Sequence, residues 1–174
     1  MNQNFSWQSI LQRLCADEPV ILLLVVASEG SAPGKPGFVM AVSKEKTLQG
    51  SIGGGAVEYE LVEYAHKLLH SGINPDTDSN IDSDIVVTDT PYNLHPELLY
   101  RSHNGSGAED DSGMVCGGSQ QVVLYPLHKK HVDCIQKLVE HLDKGLCTHL
   151  CFSPSWIGLE PWKPEQEEPK KHQT

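Results

Sequence analysis

An unbroken apolar stretch near the N-terminus constrains the fold more than any other feature. Residues 20–27, VILLLVVA, are aliphatic at every position. A strand exposed on one face alternates apolar and polar residues, whereas a strand covered on both faces is apolar throughout. The stretch therefore predicts a strand at the centre of a sheet, with other elements packed on both sides. It is far shorter than the roughly 20 residues that span a bilayer, so no transmembrane segment is expected.

Helical and strand patterns alternate along the rest of the chain. Helical spacing of apolar residues marks three segments, residues 7–14, 57–68 and 132–142. Strand patterns mark five more, residues 38–42, 47–52, 85–89, 121–125 and 146–152. The first two of these are expected to pair as a hairpin. We therefore predict an α/β fold, a single domain in which helices pack on a mixed β-sheet with both parallel and antiparallel pairs.

Length and composition fit one globular domain followed by a tail. The chain has 174 residues, of which 39% are apolar and 21% charged. Residues 89–113 are loop-rich. From Pro154 the composition turns to Pro, Glu, Lys and Trp, which rarely build a packed core. We predict a domain over residues 1–153 and a disordered tail over residues 154–174.

Charge and cysteine usage limit the partners and the compartment. Thirteen Lys and Arg against 23 Asp and Glu give a net charge of -10, which disfavours binding to nucleic acid or to anionic membranes. The N-terminal residues lack the basic start and apolar block of a secretory signal. Five cysteines without regular spacing are typical of free thiols in a reducing compartment. A cytoplasmic protein is therefore expected.

A triple glycine separates a predicted strand from a predicted helix in GSIGGGAVEYE, residues 50–60. Gly53, Gly54 and Gly55 allow positive φ and close approach of another group, and the first amides of the following helix could bind an oxyanion. The spacing matches neither the dinucleotide fingerprint nor a P-loop. Two interpretations stay open, an oxyanion cradle and a tight turn packed against a neighbour. Glu58, in the first helical turn, counts against a strongly charged anion.

A second glycine-rich turn carries a thiol. Cys116 directly precedes Gly117 and Gly118 at the start of a predicted strand. A thiol in such an open turn is suited to act as a nucleophile, a metal ligand or a sulfur carrier. The alternative is that Cys116 is a small buried apolar residue.

No metal site is predicted. Cys147, His149 and Cys151 would lie on one face of a strand, but neighbours on such a face stand roughly 6.5 to 7 Å apart, too far for one zinc ion. The aspartates between residues 76 and 84 lack the spacing and the glycine of a calcium loop.

Three segments in order resemble the N-terminal domain of the XdhC/CoxI family, the xanthine dehydrogenase accessory factors. They are VVASEGSAPGKPGFVMAV at 25–42, GSIGGGAVEYELVEYA at 50–65 and GMVCGGSQQVVLYPL at 113–127. The resemblance extends over residues 5–152. It implies a chaperone that transiently binds the molybdenum cofactor, as molybdopterin or its dinucleotide form, while a cysteine desulfurase installs the terminal sulfur. The chaperone then delivers the cofactor to an apo molybdenum hydroxylase of the xanthine dehydrogenase type.

Residue by residue, the resemblance implies a cofactor site built from the three segments. Its members are Gly30, Ser31, Pro33, Lys35 and Gly37, then Gly53, Gly54, Gly55 and Glu58, then Cys116, Gly117 and Gly118. Cys116 would be the sulfur carrier or molybdenum ligand.

Two departures from the family pattern stand out. Gly34 takes the place of a basic residue that commonly follows the loop proline, and the family's C-terminal Rossmann domain has no counterpart in this chain. A separate Rossmann-domain protein could supply that part, and a homodimer is left open. The expected role is a chaperone rather than an enzyme. The alternatives are a persulfide-carrying sulfurtransferase acting through Cys116 and a regulatory or interaction domain without a ligand.

Overall fold

The computed structural model describes residues 5–45, 48–72, 94–102 and 118–161. Its helices are α1 (Trp7–Cys15), α2 (Gly55–Ser71) and α3 (Val132–Asp143), and a short 3₁₀ turn, Lys129–His131, precedes α3. Its strands are β1 (Val20–Gly30), β2 (Val39–Ser43), β3 (Leu48–Gly50), β4 (Glu97–Ser102), β5 (Gly118–Leu127), β6 (Thr148–Phe152) and β7 (Ile157–Pro161). No helix in these ranges is long and apolar enough to cross a membrane.

Five strands form the main sheet in the order β3-β2-β1-β5-β4, and β6 and β7 form a separate hairpin. The α/β class and the central position of β1 are confirmed, as is the hairpin of β2 and β3. The expected parallel pairs are not found, because every pair among the described strands is antiparallel. The loop between β1 and β2 is too short for the crossover that a parallel pair requires.

Both faces of β1 are buried, as its composition predicts. Ile21, Leu23 and Val25 pack with the apolar stripe of α2 on one face. Val20 and Leu22 pack with residues of α1 and α3 on the other. The central strand thus separates two apolar layers, and the loop that follows it emerges at one end of the sheet.

The helix after the triple glycine begins and ends at glycines. Gly54 is the N-cap, with φ of 78°, and Gly72 is the C-cap in the left-handed region, with φ of 69°. The Gly72 amide donates to the Leu68 carbonyl at 2.8 Å. The helix ends at Gly72 because glycine adopts positive φ without a Cβ clash.

Two sequence predictions are wrong in part. Residues 97–102 form β4 within a region predicted to be loop, and residues 157–161 form β7 within the predicted tail. Strand β4 forms backbone hydrogen bonds with β5, which is distant in sequence. Strand β7 forms them with β6, across a turn. The predicted strand at 85–89 lies outside the described residues.

Candidate functional site

The first and third glycine-rich segments meet at the end of the central strands. Gly30, the last residue of β1, pairs with Gly118, the first residue of β5. A Cβ at Gly118 would lie 2.9 Å from the Ser31 nitrogen and still closer to the backbone of Glu29 and Ala32. Backbone cannot yield as a flexible side chain can, so this contact requires glycine.

The first and second segments are packed backbone against backbone. A Cβ at Gly53 would lie 2.8 Å from the Pro33 carbonyl carbon and would collide with the Gly34 nitrogen. A Cβ at Gly34 would collide with the Ile52 carbonyl oxygen and with the Gln120 side chain. The absence of a basic residue at position 34 therefore has a steric reason, since a side chain there has no room.

The triple glycine combines two different requirements. Gly53 is a contact glycine, so the tight-turn interpretation holds at this position. Gly54 and Gly55 have φ of 78° and 73°, and a Cβ on either would meet no atom within 4 Å. Gly37, with φ of 91°, is likewise open. These three positions need glycine for backbone conformation, and they leave an uncrowded surface beside the packed junction.

Glu58 binds the amides of the glycine turn itself. Its Oε2 accepts hydrogen bonds from the Ile52 amide at 2.9 Å and from the Gly54 amide at 2.9 Å. It also accepts from the Ser51 hydroxyl at 2.6 Å, and the Ser51 oxygen accepts from the Gly53 amide at 3.1 Å. The carboxylate thus occupies the position that a bound oxyanion would take at these amides.

Lys35 is not the counter-ion of Glu58. A carboxylate that accepts from two amides and a hydroxyl needs no cation to neutralise it. Within the described residues Glu58 forms no ion pair with Lys35, whose side chain is exposed. The first residues of α2, Gly55 and Ala56, are exposed, and the N-cap Gly54 has no side chain that could accept from the first amides of the helix.

The described residues of the predicted site lie in the loops at the end of β1 and β5, where Gly30 pairs with Gly118 and Gly34 packs against Gly53. Gly30, Ser31, Pro33, Lys35 and Gly37 are all exposed, whereas Gly53, Gly54, Glu58 and Gly118 are partly covered and Gly55 is exposed. Cys116 and Gly117 lie outside the described residues, so their roles stay predictions.

Sequence reasoning missed two residues of this cluster. Gln120 of β5 is only 2% exposed, its Oε1 lies against Gly34, and that oxygen has no hydrogen-bond partner. Ser51 links Glu58 to the turn. Neither position had a distinctive signal, because a glutamine in a strand and a serine beside glycines are ordinary surface residues by pattern alone.

Three cavities lined entirely by described residues lie away from the predicted site residues. An apolar groove of about 310 Å³ lies on the sheet face between β4 and the β6–β7 hairpin, lined by Leu24, Val26, Leu98 and Phe152 among others. Four cysteines of the described part, Cys15, Cys134, Cys147 and Cys151, are free, as expected. No group of three or more His, Cys, Asp or Glu within the described ranges could hold a metal ion.

Two histidines between β5 and α3 are buried and uncharged at neutral pH. Burial, together with nearby Lys130, lowers the pKa of His128 and of His131 to about 4. The His128 amide donates to His131 Nδ1 at 3.0 Å, which requires that nitrogen to be unprotonated. The pair belongs to the packing of the turn before α3 and lies apart from the glycine-rich cluster.

Comparisons with known proteins agree with the fold and with the resemblance. The sequence model of the XdhC and CoxI family matches residues 14–75. A crystal structure described as a xanthine dehydrogenase from Bacillus halodurans has a TM-score of 0.57 and 20% sequence identity. The alignment covers 83% of this chain but only 37% of the other. No curated protein sequence matches.

The matched residues contain the central strand, the first two glycine-rich segments and helix α2, so the family pattern coincides with most of the described cluster. At 20% identity, the structural comparison establishes the fold alone. The resemblance inferred from the sequence is confirmed at residues 14–75, where this chain matches the XdhC and CoxI family pattern.

Proposed function

We propose that the chain binds the molybdenum cofactor and serves in the maturation of a molybdenum hydroxylase of the xanthine dehydrogenase type. The observation that carries the proposal is the convergence of the three glycine-rich segments, in which Gly34, Gly53 and Gly118 bring the backbones into contact. Because a glycine costs more conformational entropy than any other residue, its use at all three positions is accounted for by this backbone contact, which fixes the geometry of the cluster.

The surface beside the junction fits a flat, weakly anionic ligand better than a tightly held phosphate. Gly37, Gly54 and Gly55 present backbone without side chains, which allows a planar ring to approach. The amides of Ile52 and Gly54 are already bound to Glu58. A phosphate of the cofactor would therefore rely on the first amides of α2, with exposed Lys35 as the available cation of the loop.

In this proposal the cofactor is cargo, and the chain's own residues bind and orient it. Cys116 would supply a thiolate, a soft ligand suited to molybdenum or to transient sulfur. An apo molybdenum hydroxylase would receive the cofactor in the cytoplasm, and a cysteine desulfurase would provide the sulfur.

Anaerobic gel filtration with molybdenum cofactor tests the proposal. The wild-type chain should retain molybdenum and pterin in its protein peak. Lys35→Glu should reduce retention about fivefold, since an exposed charge contact contributes up to about 1 kcal/mol. Lys137→Glu, on the exposed side of α3, is the matched charge control and should retain the cofactor normally. Retention no better than that of an unrelated acidic protein would contradict the proposal.

A second candidate is an interaction domain that has the fold but binds no cofactor. The Glu58 contacts favour it, because two backbone amides that could donate hydrogen bonds to a ligand already donate to Glu58. This candidate predicts no retained cofactor and the same behaviour for both lysine variants.

The sulfurtransferase alternative concerns Cys116. Exposure to a cysteine desulfurase should then add about 32 Da as a persulfide, and Cys116→Ser should abolish the adduct. An unmodified thiol after that exposure would rule it out.

A further inference from the structure

Helix α2 places two imidazole rings against each other one turn apart. His66 Nε2 and His70 Nε2 are 3.1 Å apart, with ring centroids 4.4 Å apart and ring planes at 70°. His66 Nε2 also lies 2.9 Å from the carbonyl oxygen of Lys44, the residue that follows β2. His66 Nε2 therefore has two further electron-pair donors within 3.1 Å, the His70 Nε2 nitrogen and the Lys44 carbonyl oxygen.

Two neutral imidazole rings provide too few protons at their Nε2 atoms to give each contact of His66 Nε2 its own hydrogen atom. A neutral imidazole carries a proton on one nitrogen only. If His66 Nε2 carries it, one hydrogen atom has to serve both the contact with Lys44 and the contact with His70. If His70 Nε2 carries the proton and donates to His66, the contact with Lys44 has no hydrogen atom. A further cation bound at this point would resolve the shortage.

The spacing of the two nitrogens suits a single metal ion. Zinc binds histidine nitrogen at about 2.0 to 2.1 Å, so two such ligands lie roughly 2.9 to 3.4 Å apart for bond angles between 90° and tetrahedral. The observed 3.1 Å falls in this interval. Histidines at i and i+4 on a helix are also the spacing that helical zinc motifs use. His70 is exposed and His66 half-buried, so an ion has access.

We propose that His66 and His70 form a binding site for a divalent transition-metal ion of the zinc, nickel or copper class. The Lys44 carbonyl is a candidate third ligand, and water completes the shell. Because no third His, Cys, Asp or Glu joins the pair among the described residues, the ion is exchangeable rather than a permanent structural metal. Its binding would fasten the C-terminal half of α2 to the turn after β2.

Zinc titration of the full, tag-free chain, stripped of metal with a chelator, tests the proposal. Long-range proton–nitrogen NMR spectra resolve the histidine ring nitrogens. Zinc should shift the Nε2 signals of His66 and His70 together, with saturation at one ion for this pair. His70→Ala should weaken zinc binding to His66 by about tenfold or more, as expected on losing a direct ligand. His149→Ala, an exposed histidine of β6, is the matched control and should leave the pair unchanged.

Two results would overturn the proposal. The first is that zinc leaves the Nε2 signals of both histidines unshifted. The second is that His70→Ala leaves the response of His66 to zinc unchanged. In either case the ion binds elsewhere, for instance at the free thiols. Because His70 is exposed, its replacement should leave the circular dichroism spectrum intact, and His70→Gln provides a second variant of similar polarity. The proposal does not depend on cofactor binding, so anaerobic cofactor retention can fail while the zinc response remains.

Discussion

Replacement of Glu58 by alanine should destabilise the glycine turn more than any other single change of an acidic side chain in this helix. The variant loses a charged acceptor for two backbone amides and one hydroxyl. A hydrogen bond to a charged group contributes about 1.5 to 3 kcal/mol, and an amide left unpaired costs about 1 to 3 kcal/mol. Since Glu58 is only half-buried, water can reach part of the turn, and we expect a total loss of about 2 to 4 kcal/mol.

Urea unfolding and thermal melting measure this loss. For a chain of this size, 2 to 4 kcal/mol corresponds to a fall in Tm of about 5 to 15 °C. Glu58→Gln keeps the length and one acceptor, so it should lose about half as much. Glu60→Ala is the matched control, because the exposed Glu60 carboxylate pairs, among the described residues, only with half-buried Arg101 at 3.2 Å, a contact worth about 1 kcal/mol. If Glu58→Ala costs no more than Glu60→Ala, the argument about the turn is wrong.

Two further predictions concern acid stability and close packing. Because the pKa values of His128 and His131 fall from 6.5 to about 4 on folding, the unfolded chain takes up protons first as the pH drops below 6.5. The free energy of unfolding in urea should therefore decrease from pH 6.5 to 4, by up to about 1.4 kcal/mol per pH unit for each ring. The decrease should be less steep in His128→Asn. A free energy that does not change with pH would contradict the burial argument. Gly118→Ala should cost at least about 1 to 3 kcal/mol in the same assay. This loss should exceed that of Gly145→Ala, whose Cβ meets no atom within 4 Å and which carries only the strain of its φ of 67°; equal losses would argue against the backbone contact.

The sequence pattern alone predicted those helices and strands that consist of a single amphipathic or aliphatic segment. The aliphatic run of β1 and the apolar stripe of α2 indicate both their structure and the faces they bury. The pattern failed for β4, in which Leu98 and Tyr100 are exposed at 63% and 60% while the charged neighbour Arg101 is half-buried. This reverses the usual alternation, and only the pairing with β5 identifies the strand.

The candidate site was predictable in outline and not in its contacts. Glycines in family order indicate that three segments belong together. The contact of Gly53 with Gly34 depends on how distant loops pack, which no spacing along the chain encodes. Glu58 illustrates the same limit, because its position in the first helical turn was apparent from sequence, whereas its bonds to Ile52 and Gly54 were not.

The most direct test of cofactor binding at the glycine-rich cluster is an anaerobic titration followed by backbone amide NMR. Addition of molybdenum cofactor should shift the amide signals of Gly37, Gly54, Gly55 and Ala56, the uncrowded surface beside the three-segment junction. Signals from α3 should stay unchanged. Shifts absent from these four amides, or confined to the apolar groove around Val26 and Leu98, would contradict the proposed site.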